Sequence, residues 1–375
     1  MFGAIEKELR AMNTETPLRV VQAGTGNVGS EMVRRLQTHP DLQLVGLYCY
    51  AEDKVGRDAG EIVGIDPVGV KGTNRIEDII ALQPDCLNFN GVWPDMVLFR
   101  AVLEAGINVV STADWITGHH RDLNFPDPSG RKPTEMIEEA CQRGNATFYG
   151  TGMNPGLAQI LSVVASAGMG RVDHLTVLES VDVSCHHSVD TWKNTGYGLP
   201  VDDPKVPELL EKGCTVFADS IYLMADCLDV EVDEVVFECE LGACTKDVDL
   251  GWWTLAEGSV GASMAKYKGI VGGESKIEVH LQWQMTPDTE PNWKIEGCYI
   301  TTIKGDPTII NRHMIFPAEG ASIHDPAYFA SIGMTITGMP ALNAIGTICA
   351  APPGMVTSAD LPLRAFAGRF DRPPR

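Results

Sequence analysis

The sequence predicts an α/β protein, an N-terminal doubly wound parallel sheet followed by an α+β domain with a mixed or open sheet. Three observations predict it. Residues 19–48 read as strand, glycine-rich turn, helix and strand, a unit of ~30 residues, the size a parallel crossover requires. Strands and helices then alternate as far as residue 149, the pattern of a sheet covered on both faces. Beyond Gly150–Gly156 the rhythm changes, and later stretches alternate apolar and polar residues, the sign of a sheet with one solvated face.

Taken in order, residues 1–16 form a polar tail that frays or makes a short helix. After Pro17 a strand covers Arg19–Ala23, followed by Gly24-Thr25-Gly26-Asn27-Val28-Gly29. A helix runs on through Gln37 with Val28, Met32, Val33 and Leu36 on one face. His39-Pro40-Asp41 breaks it, and Leu42–Tyr48 is a buried strand. Ile76–Leu82 is helical, Asp85–Phe89 a strand, Pro94–Glu104 a helix and Ile107–Ser111 a strand. Pro133–Arg143 is a helix with proline at its favoured start, and Thr147–Tyr149 is a strand. A first domain therefore spans 17–152 and a second 153–332. In the second, a helix is expected from Gly156 to Ala167, with strands at Val172–Ser184, Glu234–Leu241 and Lys276–Thr286. Trp293–Ile303 extends that sheet. The apolar segment Met334–Ala351, ending at Pro352-Pro353-Gly354, makes a final helix within 333–375 that packs back on the first domain.

Bulk properties narrow the partners. A length of 375 residues suits two domains. The formal charge is −21, from 50 acidic against 29 basic residues, and such a surface repels phosphate backbones, so nucleic acid is not an expected partner. No run approaches ~18 uninterrupted apolar residues, so no membrane partner is expected. The first sixteen residues lack an apolar signal region, which points to the cytoplasm. The ten cysteines are scattered without a CxxC pair. They read as reduced core residues rather than as disulfides or metal ligands.

Gly24-x-Gly26-x-x-Gly29 lies directly between a strand and a helix, the context that turns a weak motif into a dinucleotide-binding, Rossmann-type fingerprint. Gly24 permits the tight turn, Gly26 lets backbone approach a pyrophosphate, and Gly29 lets helix and strand pack closely. The helix N-terminus holds the anion. Thr25, Asn27 and Val28 complete the loop. Strand two runs out through Tyr48-Cys49-Tyr50, then Glu52, Asp53, Lys54 and Arg57. Glu52 or Asp53 suits a ribose diol, Lys54 or Arg57 a 2′-phosphate, so NADH and NADPH both remain open. Tyr50, Asn90, Gly91 and Thr112, at carboxyl ends of strands, border the same ligand.

Several segments carry a family resemblance: Lys54-Val55-Gly56-Arg57-Asp58-Ala59-Gly60-Glu61, Asn108-Val109-Val110-Ser111-Thr112-Ala113-Asp114, Gly150-Thr151-Gly152-Met153-Asn154-Pro155-Gly156, Asn343-Ala344-Ile345 and Pro352-Pro353-Gly354. The first 150 residues resemble the N-terminal domain of dihydrodipicolinate reductases. The whole chain more closely resembles 2,4-diaminopentanoate dehydrogenase and the native amine dehydrogenases. Two departures stand out. Cys185-His186-His187 keeps a paired histidine of the reductases, but their Ser-Gly-Thr dicarboxylate segment is missing. The amine dehydrogenase group has a carboxylate after the fifth strand, usually Glu, where this chain has Asp114.

The resemblance implies an NAD(P)H-dependent oxidoreductase acting on C=N or C–NH2, reversibly converting a small ketone and ammonium to an amine. The alternatives are a dihydrodipicolinate-type imine reductase and a non-catalytic dinucleotide-binding redox sensor. Asp114 reads as the catalytic carboxylate or as a helix N-cap. Trp115 reads as a substrate contact or as the start of a turn. His119 and His120 read as solvated loop residues rather than as site lining. His187 reads as a substrate contact or a structural histidine. Asn154 and Pro155 read as substrate contacts at the mouth of a helix starting at Gly156, or as a plain turn. Trp192, Tyr197, Trp252, Trp253 and Trp283 shape a pocket or fill core. By analogy with the fold, the exposed face of the second sheet is expected to form a homodimer.

Overall fold

The computed structural model describes residues 16–320 and 326–361. The N-terminal tail assigned to residues 1–16 therefore lies almost wholly outside the described residues, as do residues 362–375. The described chain divides at Leu157/Ala158 and at Ile332/Gly333 into two compact units, the first made of both chain ends.

The first unit alternates β1 (Leu18–Ala23), α1 (Asn27–Leu36), β2 (Leu42–Tyr48), α2 (Ala59–Val63), β3 (Gly72–Thr73), α3 (Ile76–Ala81), β4 (Cys86–Phe89), α4 (Met96–Glu104), β5 (Asn108–Ser111), α5 (His119–Asn124), α6 (Pro133–Gly144) and β6 (Thr147–Gly150). Its seven strands are all parallel. Their order is β16-β6-β5-β4-β1-β2-β3, where β16 is Gly354–Val356. The order reverses between β1 and β4, which makes a ligand crevice at their carboxyl ends.

Alternate strand residues point to opposite faces. Val21, Ala23, Leu87, Phe89, Val109 and Phe148 pack against α4 and α6 through Leu98, Phe99, Val102, Ile137 and Ala140. Val20, Leu44, Cys86, Val110 and Tyr149 pack against α1, and against the long helix Pro326–Cys349 through Ala341, Leu342, Ile345 and Ile348. Both faces are covered, which is why β1, β4 and β5 read as short apolar runs rather than as alternating ones. Among the described residues one segment, Ser331–Cys349, is by length and composition long and apolar enough to cross a membrane. Thr, Gly and Asn interrupt its apolar string, so it holds no long uninterrupted apolar run.

The second unit contains α7 (Ala158–Ser166), β7 (Arg171–Asp182), α8 (Val189–Asn194), α9 (Val206–Gly213), α10 (Val216–Leu228), β8 (Glu234–Cys244), β9 (Val248–Asp249), β10 (Thr254–Leu255), β11 (Val260–Val271), β12 (Glu274–Gln284), β13 (Thr289–Glu290), β14 (Cys298–Asp306) and β15 (Ile309–His313). The helix Pro326–Cys349, which follows β15, is α11. A mixed sheet of order β13-β8-β11-β12-β7-β14-β15 is antiparallel except between β12 and β7. Helix α10 covers one face, where a Cβ added to Gly269 would lie 2.5 Å from Ile221. The opposite face carries Met264 beside the pairs Lys266–Glu240 and Lys268–Glu238 on β11 and β8, with Leu178 and Ile300 farther across on β7 and β14.

All ten cysteines are free. The expectation that they are core residues fails at Cys185, which is exposed because β7 has ended and the chain runs along the surface.

Candidate functional site

The glycine loop joins β1 to α1. Gly24 has φ +88°, a left-handed conformation that disfavours side chains. Its N–H donates to the Tyr48 carbonyl at 3.0 Å, tying the turn to β2. A Cβ on Gly29 would lie 2.2 Å from the Gly24 carbonyl oxygen, so that position has no room for one. Gly26 is the opposite case: a Cβ there would meet nothing within 4 Å. It caps α1 without a side chain to bond the first N–H groups, and its exposed backbone leaves those donors facing outward. Asn27 beside it is exposed, while Val28 packs into the core behind. Thr25 receives Lys54, whose Nζ donates to the Thr25 carbonyl at 3.3 Å and to its hydroxyl at 2.8 Å. A cation thus rests on the loop that would cradle phosphate. Glu52, in contrast, accepts from Asn74 at 2.8 Å. These features fit a dinucleotide.

Tyr50 is 54% exposed. Its hydroxyl donates to Asp95 at 2.8 Å, and its ring stands edge-on to Tyr48. Burial of the hydroxyl, then the bond to Asp95, push its pKa well above the usual tyrosine range. Asn90 and Gly91 follow β4, and Thr112 follows β5. Asn90 donates to the Thr112 hydroxyl at 2.9 Å and accepts from Gln22 at 2.9 Å and Asn88 at 3.1 Å. The sequence reading missed Gln22 and Asn88. A signal was present, since an amide inside each of two otherwise apolar strands must find a partner.

Asp114 is 9% exposed. Its N–H donates to the Val92 carbonyl at 3.2 Å, which sets it beside the end of β4. The N-cap reading is overturned, because Gly118 caps α5. The Asp114 carboxylate instead takes Arg121 Nη1 at 3.1 Å and lies 3.4 Å from His120 Nε2. Arg121 also sits 4.3 Å above the Phe125 ring. Only His119 is solvated; His120 is buried, so the expectation of two loop histidines in solvent fails for it. The cause is α5, which turns His120 and Arg121 inward together.

Trp115 needs a correction as a substrate contact. It is wholly buried in the core, 5.3 Å from Phe148, with no surface to offer a ligand. Asn154 and Pro155 are half-buried and extended, joined by a cis peptide bond, and Gly156 has φ +134°. The helix begins at Ala158, not at Gly156, because that backbone is incompatible with helix. In the second unit His187 is exposed and stacked on Trp252, with ring centroids 5.0 Å apart. Burial holds His186 below the ordinary histidine range. Trp192 and Tyr197 are core residues, whereas Trp252, Trp253 and Trp283 are partly buried at that core's edge.

Comparison with known proteins agrees with this architecture. Residues 18–118 match the dihydrodipicolinate reductase N-terminal family, and residues 158–372, more than half the chain, match the 2,4-diaminopentanoate dehydrogenase C-terminal domain. The chain belongs to the 2,4-diaminopentanoate dehydrogenase family. An amine dehydrogenase of Streptomyces virginiae is 30% identical over 93% of this chain and 97% of its own. The 2,4-diaminopentanoate dehydrogenase of Acetoanaerobium sticklandii is 25% identical over 94% of this chain and 96% of its own. The structure of an amine dehydrogenase from Mycobacterium smegmatis shares the fold, with a TM-score of 0.68 at 17% identity, covering 94% of this chain and 98% of that one. A 4-hydroxy-tetrahydrodipicolinate reductase of Synechococcus elongatus matches at 38% identity, but over only 19% of this chain and 31% of that protein. As a member of this family the chain is an oxidoreductase, and the dinucleotide-binding character of such dehydrogenases implies NAD(P)H.

Proposed function

We propose that this chain is an NAD(P)H-dependent amine dehydrogenase that reversibly converts a small ketone and ammonium to the corresponding amine. The observation that carries the reading is Asp114, a buried carboxylate beside the carboxyl ends of β4 and β5, paired with Arg121. The nicotinamide, when bound, supplies the hydride. Asp114 does the remaining work. It attracts ammonium, takes a proton from it as ammonia adds to the carbonyl carbon, returns that proton to the hydroxyl as water leaves, and as a carboxylate again stabilises the iminium cation before reduction. Asn90, Gly91, Thr112 and Tyr50 line the cofactor side, while Asn154 and Pro155 contact the substrate. Lys54 against Thr25 supports NADPH over NADH, since its ammonium suits a 2′-phosphate beside the loop. The enzyme works in the cytoplasm as a homodimer joined through the sheet face bearing Leu178, Met264 and Ile300, a mass that light scattering would measure.

Dinucleotide oxidation with a panel of small ketones, with and without excess ammonium, tests the reading. Turnover confined to ammonium-containing reactions, and lost in Asp114→Asn while cofactor still binds, is the expected result. Turnover independent of ammonium, or undiminished in Asp114→Asn, would overturn it.

A further inference from the structure

Four side chains at the ends of β1, β4 and β5 form a hydrogen-bonded chain whose direction can be worked out atom by atom. Gln22 Nε2 faces the main-chain carbonyls of Ala23 at 3.0 Å and Gly24 at 3.2 Å. A carbonyl only accepts, so this end of the amide is the donor. Gln22 Oε1 then points at Asn88, whose Nδ2 donates to it at 2.8 Å. The same Nδ2 lies 3.1 Å from Asn90 Oδ1, which also accepts from Gln22 at 2.9 Å. Asn90 is thereby held with Nδ2 toward Thr112, and donates to its hydroxyl oxygen at 2.9 Å. The Thr112 proton cannot turn back toward Asn90. Thr112 is half-buried, and its hydroxyl proton has no protein acceptor among the described residues.

We propose that Gln22, Asn88 and Asn90 are positioning residues that fix the Thr112 hydroxyl as an outward hydrogen-bond donor to the carboxamide oxygen of the nicotinamide. This rests on the cofactor reading above. Two features make a merely structural role insufficient. Gln22 and Asn88 are fully buried, and Asn88 Oδ1 is left with no partner at all, a cost that apolar side chains there would avoid. The chain also begins on the glycine loop's own carbonyl and ends beside the fifth strand, so it registers the pyrophosphate end of the crevice to its nicotinamide end. A rigid donor placed before binding loses no rotational freedom when the ligand arrives.

Calorimetric binding of NADPH and NADH, against ADP-ribose and its 2′-phosphate, tests it, because the latter pair lack the nicotinamide. Thr112→Val removes the donor. Asn90→Asp removes the amide N–H, so the Thr112 proton turns inward to the new carboxylate. Each variant is expected to weaken the dinucleotide about 10-fold, the worth of one hydrogen bond, with ADP-ribose affinity unchanged. Thr112→Ser restores the wild-type value, and the double variant binds no more weakly than either single one. Unchanged dinucleotide binding in Thr112→Val, equal losses for ADP-ribose, or additive losses in the double variant would overturn the proposal. If Asn90→Asp does not fold, the Thr112→Val and Thr112→Ser pair decides alone. A wild-type protein that binds neither dinucleotide removes the cofactor reading and this inference together.

Discussion

Arg121→Met tests whether Asp114 is held by charge. In the wild type the two side chains are 10% and 9% exposed and 3.1 Å apart. Methionine keeps much of the hydrophobic stem but takes the guanidinium away from Asp114 and from the Phe125 ring. Removing one partner of a buried pair typically costs ~3–5 kcal/mol. The lower end applies here, because His120 Nε2 lies 3.4 Å from the same oxygen. Arg121→Met should therefore lose about 3 kcal/mol in urea unfolding of the full chain, with hydrogen exchange locating the loss at β5 and α5. Adding Asp114→Leu should recover most of it, since replacing both partners by apolar groups is often nearly neutral. A loss below ~1 kcal/mol in the single variant, or a double variant as unstable as the sum of the singles, would refute a charge clamp at this carboxylate.

Two glycines separate cofactor binding from packing. Gly26→Ala, with open space around the new methyl, should leave unfolding unchanged yet weaken dinucleotide binding at least ~10-fold; Gly29→Ala, set against the Gly24 carbonyl, should also lower stability by ~1–3 kcal/mol. Lys54→Ala should raise the KM for NADPH more than that for NADH, and equal changes would place Lys54 at the shared pyrophosphate instead. Glu278 bears on acid stability. Burial alone would raise its pKa, but hydrogen bonds from Ser275, His174 and His280 outweigh it and bring the value down to about 2. Its folded value lies below the unfolded one of ~4.3, so its contribution is complete above that pH and is lost as pH falls toward 2. Glu278→Gln should therefore be less stable than wild type at pH 6, with the difference closing in that window; a constant difference down to pH 2 would refute the assignment.

The first unit was legible because its signals are local. Leu42–Tyr48 is an apolar run bounded by a proline break, and the glycine triplet fixes where β1 ends and α1 begins. The second unit was less so. The reading passed over α8, α9, α10 and β11, although its strands at Val172–Ser184 and Lys276–Thr286 fall on β7 and β12. Helix α10 is apolar on several sides, with Phe217, Ile221, Leu223 and Met224 all buried, so no stripe marks it. Strand β16 was hidden behind two prolines that read as a stop, yet it adds a seventh strand beside β6.

The site shows the same division between local and distant causes. Glycine spacing announces the cofactor loop, because backbone strain and close approach are properties of a few consecutive residues. The environment of Asp114 is not local. Helix α5 has the sequence His119-His120-Arg121-Asp122-Leu123-Asn124, without apolar periodicity, and is held by Asp122 bonding the Thr134 N–H at 3.0 Å and by Arg121 reaching back to Asp114. Its polar residues looked solvated because nothing nearby in sequence says what they pair with. Gln22 and Asn88 lie 66 residues apart, and only the adjacency of β1 and β4 at the switch point makes them partners. A lone amide in an apolar strand thus reveals from sequence that a polar partner exists, while the strand order decides which one, and with it the direction in which a proton finally points.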